Sequence, residues 1–271
     1  MRFDPQHTAS YYDQYGTSEW DRWEKNSYMR MQWRIFLHHL DRKVRKGDQV
    51  LDAGCGAGRF TRELIARGAK VTALDLSPVQ LDLCRKNAPG AQAYLLGSVT
   101  DLGMLPDQPF DVVLALGGPI SYCFDQAPQA LGELLRVLRP GGWLGLSVMG
   151  VFGAIHNFLP GVLSLDAEVN REIVATGDLG RDVNSGHECH MFRVAELREL
   201  LERAGVDDIL ITASGWLSAL HEFDLPEEGT AEWHWLLQAE LEASEESPGA
   251  GTHLMAWAKR PGLPPDSRSQ S

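Results

Sequence analysis

The sequence is short of cysteine and of positive charge, and it has no long apolar run. Its 271 residues include four cysteines, Cys55, Cys84, Cys123 and Cys189, far apart and with no CxxC pair. The simplest reading is reduced thiols in a cytoplasmic protein. Lysine and arginine number 25 against 37 aspartates and glutamates, a net charge of −12. That balance argues against a broad nucleic-acid face or an anionic membrane surface as partner. No segment reaches the ~20 apolar residues of a membrane span. The opening MRFDPQHTASYYDQYG lacks the apolar core of a secretory signal. The length allows a substantial core, either as one domain with an insertion or as two domains.

What is present begins with aromatics. Tyr11, Tyr12, Tyr15, Trp20, Trp23, Tyr28 and Trp33 crowd residues 1–46. Tyr28, Met31, Ile35 and Leu40 recur at roughly helical spacing and predict an amphipathic helix in the second half of this leader. From Gly47 strands and helices alternate. QVLDAG reads as a strand, RFTRELIARG as a helix closed by Gly68, and KVTALDL as a strand. Ser77-Pro78 then sets a capping hydroxyl before a proline at the first helical position. AQAYLLG and FDVVLALGG read as strands. Ala127, Ala130, Leu131, Leu134, Leu135 and Leu138 make a helical stripe, Pro140-Gly141-Gly142 stops it, and WLGLSVMG is a fifth strand. Near-continuous apolar strands between helices imply a parallel sheet covered on both faces.

Residues 151–192 break that rhythm. They are expected to form an irregular lid or substrate-binding insertion, with at most a short helix around 166–175. Regularity returns in the helix RVAELRELLERAG and the strand DDILITASG. A helix over 233–241, an acidic loop over 242–246 and a last strand THLMAWAKR follow. The expected organisation is a helical cap (1–46), a sheet domain (47–260) carrying the insertion, and a disordered tail (261–271).

Within the first strand's loop, VLDAGCGAG (residues 50–58) places glycine at every second position. Such loops bring bare backbone against a nucleotide-like ligand. A phosphate loop needs GxxxxGK[ST], and no such lysine follows Gly58. A dinucleotide loop wants G-x-G-x-x-G, whereas Gly54, Gly56 and Gly58 give G-x-G-x-G and Arg59 stands at the last dinucleotide position. With Asp52 two residues before the first glycine, the segment resembles motif I of class I S-adenosylmethionine-dependent methyltransferases. LLRVLRPGGWLGLSV resembles the family's later helix-turn-strand motif, and HMFRVAELRELLERAG the segment before its sixth strand. The resemblance covers roughly residues 47–150 and 193–260.

It implies an α/β fold with a Rossmann-like, seven-stranded, mostly parallel sheet, and S-adenosyl-L-methionine as cofactor. Asp52, Gly54, Cys55, Gly56 and Gly58 would lie against the methionine and ribose parts, and Asp75 would accept the ribose hydroxyls. Leu76, Leu116 and the backbone of Val99 complete the implied cofactor set. One position departs from the family, which often has Gly-Asp after the third strand. GSVTDL puts Ser98 there, with Asp101 as an alternative adenine contact.

Ligands of open α/β sheets bind beyond the carboxyl ends of the strands, at the switch point of strand order. The loop 52–58 and GGPISYC (117–123) are therefore expected to face each other. Tyr122 is a candidate for contacting the acceptor near the transferring methyl, or else an aromatic wedge. His187 and His190, in SGHECHMFR, are candidate general bases; both also suit structural hydrogen bonds. HECH offers His187, Cys189 and His190 to a metal, but zinc sites normally want a fourth ligand and none stands nearby, so no metal is expected. Tyr11, Tyr12 and Trp20 are candidates to fold over the cofactor and close the pocket, with Tyr11 and Tyr15 the better candidates for the substrate; Trp20, Trp23 and Trp33 are alternatively anchors of the leader, and Cys55 a small space-filler. The leading expectation is methyl transfer to a small-molecule acceptor, and GGPISYC lacks the Asn-Pro-Pro-Tyr of many enzymes that methylate bases. The alternatives are an NAD(P)-linked oxidoreductase and a catalytically silent S-adenosylmethionine-binding protein. The acceptor atom (oxygen, nitrogen, sulfur or carbon) and the oligomeric state stay open, since fold alone does not choose.

Overall fold

The computed structural model describes residues 1–220 and 224–262. Two helices, α1 (Pro5–Tyr15) and α2 (Ser18–Asp21), precede the long α3 (Ser27–Lys43). Helix α1 opens at Asp4, whose side chain accepts the His7 amide, with proline at the first position. The Asn26 side chain caps α3 in the same way through the Met29 amide. Then come β1 (Gln49–Ala53), α4 (Arg59–Ala66), β2 (Lys70–Asp75), α5 (Pro78–Asn87), β3 (Ala93–Leu96) and β4 (Phe110–Ala115). Helix α6 (Ala127–Val137) leads into β5 (Leu138–Met149). The insertion holds α7 (Val151–Asn157), α8 (Leu159–Leu163), α9 (Ala167–Thr176) and the short strands β6 (Asp178–Leu179) and β7 (Cys189–His190). Last are α10 (Val194–Arg203), β8 (Asp207–Ser214), α11 (Ala231–Glu246) and β9 (His253–Lys259).

Seven strands form one sheet in the order β3-β2-β1-β4-β5-β9-β8. Strands β1 to β5 pair in parallel, and β9 runs antiparallel to both β5 and β8. This is the expected Rossmann-like sheet. Chain order reverses between β1 and β4, so the crevice for a ligand opens above those two strands.

Adjacent residues on a strand point to opposite faces, and β1 shows how that builds two cores. Leu51 packs with Leu131, Leu134, Leu197 and Leu201 of α6 and α10. Its neighbour Val50 packs with Met31, Ile35 and Leu40 of α3, Leu64 of α4 and Trp257 of β9. Trp23 joins this second core against Trp33, Phe36 and Phe60.

Three expectations need correction. The insertion is mostly helical: α9, from the Asp166 cap to Gly177, is the short helix expected, and α7 and α8 are two more that were not. Its helices are short and bury little, none of α8 and only Ile173 of α9, so they leave no apolar stripe to read. The acidic stretch 242–246 is the last turn of α11 rather than a loop; glutamate is a good helix former, and Glu240 and Ser244 face inward. Strand β5 begins at Leu138, and Pro140 to Gly142 are absorbed as an irregularity in its pairing with β4. Residues 263–271, most of the expected disordered tail, lie outside the described residues. Among the described residues no helix is long and apolar enough to cross a membrane.

Candidate active site

The floor of the crevice is the loop after β1. Gly54 has φ +82°, and a Cβ there would stand 2.4 Å from Pro119 Cγ, so only glycine fits. Gly58, at φ +90°, lets α4 approach Cys84 of α5 with no room for a side chain. The Gly54 and Cys55 amides donate to the Leu74 carbonyl at 2.7 and 2.9 Å. The Gly56 amide donates to Asp75 Oδ2 at 2.8 Å, and the Ser77 amide to Asp75 Oδ1 at 2.9 Å. A carboxylate oxygen accepts two hydrogen bonds, so each Asp75 oxygen keeps capacity for one hydroxyl of a vicinal diol. Burial lifts Asp75 to about 6, against the pull of those amides.

A cavity of about 100 Å³ lies on this floor. Of the cofactor and acceptor candidates, Gly54, Cys55, Gly56, Asp75, Leu76, Ser98, Val99, Leu116 and Tyr122 line it. Asp52 and Gly58 do not. Asp52 is wholly buried, accepts the Thr61 hydroxyl at 2.6 Å, and is raised to about 6 by burial with Asp75 adding to the effect. It ties β1 to α4 beneath the loop. Ser98 Oγ shares a 2.7 Å hydrogen bond with Thr100 Oγ1. Asp101 accepts the Gly103 amide on another surface and is absent from the cavity wall.

The roof is α1. Thr8, Ala9 and Tyr12 look into the cavity, joined by Glu19 and Arg22. Asp13 Oδ1 accepts the Ser77 hydroxyl at 2.5 Å, and Gln80 Nε2 donates to the carbonyls of Tyr12 and Gly16 at 2.9 Å each. The insertion closes the far side. His7 Nε2 lies 2.8 Å from the Gly186 carbonyl, and Arg181 bridges Asp4 at 3.4 Å and Glu188 at 3.0 Å. Where α1 meets the insertion, Tyr12 donates to the Tyr122 hydroxyl at 2.6 Å, which lies 3.1 Å from His187 Nε2. Burial holds His187 below the usual histidine range and both phenols above theirs. The neutral imidazole keeps a buried Nδ1 with no hydrogen-bond partner.

The histidine and tyrosine candidates separate in the structure. His187 sits behind Tyr122, but His190 is held between Asp178 and Glu196 at 2.7 Å each. It lines a separate open groove beside α6 and α10. These two carboxylates outweigh burial and raise His190 above the usual range, and it stands apart from the wall of the cavity on the glycine loop. Cys189 lies in the core of the insertion, and HECH converges on no common point. Tyr11 and Tyr15 stack on each other at 6.2 Å, with Tyr11 5.2 Å from the His187 ring, and neither lines the cavity. Tyr12 does. The helical period carries this signal: Thr8 and Tyr12 share one face, and Tyr11 and Tyr15 share another. Glu19 and Arg22 had no such sign in the sequence.

Residues 50–142 match a family described as a methyltransferase domain. A malonyl-[acyl-carrier protein] O-methyltransferase of Serratia marcescens is 45% identical over 103 residues, 38% of this chain and 39% of that one. The matched segment is the one whose glycine loop and RPGG turn resemble the class I S-adenosylmethionine-dependent methyltransferases, and both matches are to methyltransferases. The matched segment thus spans about two fifths of that curated relative. Solved structures carry the likeness through the whole fold. An S-adenosylmethionine-dependent methyltransferase of Thermotoga maritima has a TM-score of 0.57 at 20% identity, over 94% of this chain and 100% of that one. A Burkholderia thailandensis 1,6-didemethyltoxoflavin-N1-methyltransferase, with S-adenosylhomocysteine bound, has a TM-score of 0.54 at 19% identity, over 94% of this chain and 88% of that one.

The residues present fit the family's cofactor. The glycine loop leaves bare backbone where a Cβ would collide at Gly54, Asp75 retains acceptors for a diol, and Leu76, Val99 and Leu116 offer apolar wall. No lysine or arginine side chain stands on the loop 52–58 for a pyrophosphate.

Proposed function

We propose that this chain transfers a methyl group from S-adenosylmethionine to a small-molecule acceptor. The observation that carries the reading is one cavity bounded on one side by the glycine loop and Asp75 and on the other by Tyr12 and Tyr122. The bound cofactor supplies an electrophilic methyl carbon on sulfur. The protein's part is alignment, exclusion of water and custody of a proton. Asp75, held by the Gly56 and Ser77 amides, and the bare backbone of the loop fix the nucleoside. Tyr12 and Tyr122 present hydroxyls to the acceptor. The Tyr122 hydroxyl pairs with His187 Nε2, and the neutral imidazole is in the right state to take up a proton released by an acceptor.

A closed roof and a net charge of −12 favour a small acceptor over nucleic acid. At about 100 Å³ the cavity is smaller than the roughly 300–1,000 Å³ of sites that bury a drug-sized ligand. Helix α1 therefore lifts to admit cofactor and acceptor and re-forms its hydrogen bonds over them.

A turnover screen tests this. Amines, phenols, thiols and carboxylates, a malonyl thioester among them, are incubated with S-adenosylmethionine, and products are weighed by mass spectrometry. A singly methylated product is expected. Its absence across all four classes contradicts the reading. With the acceptor in hand, His187→Gln should cut kcat by about 10²-fold, the scale of general-base catalysis, while S-adenosylhomocysteine affinity stays put.

A further inference from the structure

Two residues of the cavity wall are left over from the account above. Glu19 of α2 and Arg22 just after it form an ion pair, Arg22 Nη2 to Glu19 Oε1 at 3.0 Å, with side chains only 15% and 20% exposed. Both line the cavity. They lie where two backbone stretches lack side chains: a Cβ on Gly56 would stand 3.3 Å from Glu19 Cγ, and one on Gly117 3.6 Å from Arg22 Nη2. The pair does not satisfy itself. Glu19 Oε2 and Arg22 Nε are buried and without a hydrogen-bond partner. A buried polar atom left unpaired is costly, and in native structures it commonly marks a ligand or an ion.

The missing partners are specific. Glu19 needs a donor and Arg22 an acceptor, close together and on the same ligand. A phosphate supplies only acceptors and would meet Glu19 with like charge. A lone cation would meet Arg22 with like charge. An amino-acid zwitterion supplies both charges and adds none to the buried pair.

The other charged groups agree with this polarity. Asp75 lies close enough for Glu19 to help raise it, and His253 behind Arg22 is kept neutral, pushed down to about 3 by burial and then by Arg22. Arg59, the other cation of the wall, is already bound to Glu24 at 2.7 Å and set 4.8 Å from the Trp20 ring.

We propose that Glu19 and Arg22 form a two-charge cradle for the amino-acid head of the cofactor, Arg22 taking its carboxylate and Glu19 its ammonium. The inference rests on the reading of the site as an S-adenosylmethionine pocket and adds which residues of this chain select the aminoacyl end. It makes the N-terminal segment part of the binding site as well as its cover.

Three probes separate the contributions by calorimetry on the full chain. S-adenosylhomocysteine carries both charges, its decarboxylated analogue only the ammonium, and 5′-methylthioadenosine neither. Glu19→Gln should weaken the first two by about tenfold or more, the scale of a lost charge-assisted hydrogen bond, and leave 5′-methylthioadenosine unchanged. Arg22→Gln should weaken S-adenosylhomocysteine alone, and Arg22→Lys by less. Thermal unfolding of each variant reports whether the cap still packs.

The cradle is refuted if Glu19→Gln binds S-adenosylhomocysteine as well as or better than the parent, which would make Glu19 a mere counter-ion. Equal loss of 5′-methylthioadenosine in both arginine variants refutes it too, by showing a collapsed cap. If the parent chain binds none of the three, the methyltransferase reading of the pocket itself fails.

Discussion

Helices α1 and α3 belong to the same N-terminal leader, yet different forces hold them. Helix α3 buries Met31, Ile35, Phe36, Leu37 and Leu40, and at about 2 kcal/mol for each buried apolar side chain that amounts to ~10 kcal/mol before entropy is counted. Helix α1 has no buried residue. It is fastened by hydrogen bonds that Ser77 and Gln80 donate to it and that Tyr12 donates to Tyr122, each worth about 1 kcal/mol net. The leader is therefore half core and half roof: α3 packs into the apolar core, and α1 is held over the crevice by polar contacts. The same contrast separates the glycine loop, whose amides donate to the Leu74 carbonyl and the Asp75 carboxylate at the end of β2, from the side-chain contacts that close over it.

Mutations at both ends of this contrast should sharpen it. The largest effect is expected from Gly54→Val. Its Cβ collides with Pro119 and its φ is strained, so S-adenosylhomocysteine affinity measured by calorimetry should fall by about a hundredfold or more, or ~3 kcal/mol. Next is Ile35→Ala, a cavity in the α3 core costing about 2–4 kcal/mol in denaturant unfolding; a loss under 1 kcal/mol would break the contrast.

Asp75 gives a pH signature of similar size. Its folded value of about 6 lies above the ordinary carboxylate value, so the protonated form is the one favoured by folding. Its contribution to stability is present below about pH 4 and is lost as pH rises through 6. Ligand binding runs the other way, because two hydroxyl donors need the ionised form. Affinity for S-adenosylhomocysteine should rise from pH 5 to 7 with proton release, and Asp75→Asn should flatten that rise and cost roughly tenfold at pH 7.

Asp13→Ala releases α1 at Ser77 and should cost about 1 kcal/mol of ligand affinity. It should appear as faster dissociation in stopped flow, with the thermal midpoint almost unmoved. At the small end, His190→Gln should leave turnover and ligand affinity unchanged and affect only the stability of the insertion.

Legibility in the sequence followed the same division. The sheet, its order of elements and the floor residues from Gly54 to Val99 could be read because strands, caps and the glycine loop impose period and spacing on the chain. Ser77-Pro78 marked a helix start that the structure repeats. The roof could not be read so well. Its residues meet across 110 positions from Tyr12 to Tyr122 and 65 more to His187, and no local period encodes such a meeting. Residue type alone favours Tyr11 and Tyr15, while the face of α1 that looks inward belongs to Thr8 and Tyr12. His187 and His190 looked alike in HECH; only the placement of Asp178 and Glu196 tells them apart. Glu19 and Arg22 carry no sequence signal, because only the fold sets the glycine loop beneath them.

Calorimetric titration of the intact chain with S-adenosylhomocysteine and, separately, with NAD goes straight to the centre of the account. One equivalent of S-adenosylhomocysteine should bind and NAD should not. A chain that shows a cooperative thermal transition yet takes up NAD alone, or neither ligand, would contradict the reading of the crevice between β1 and β4.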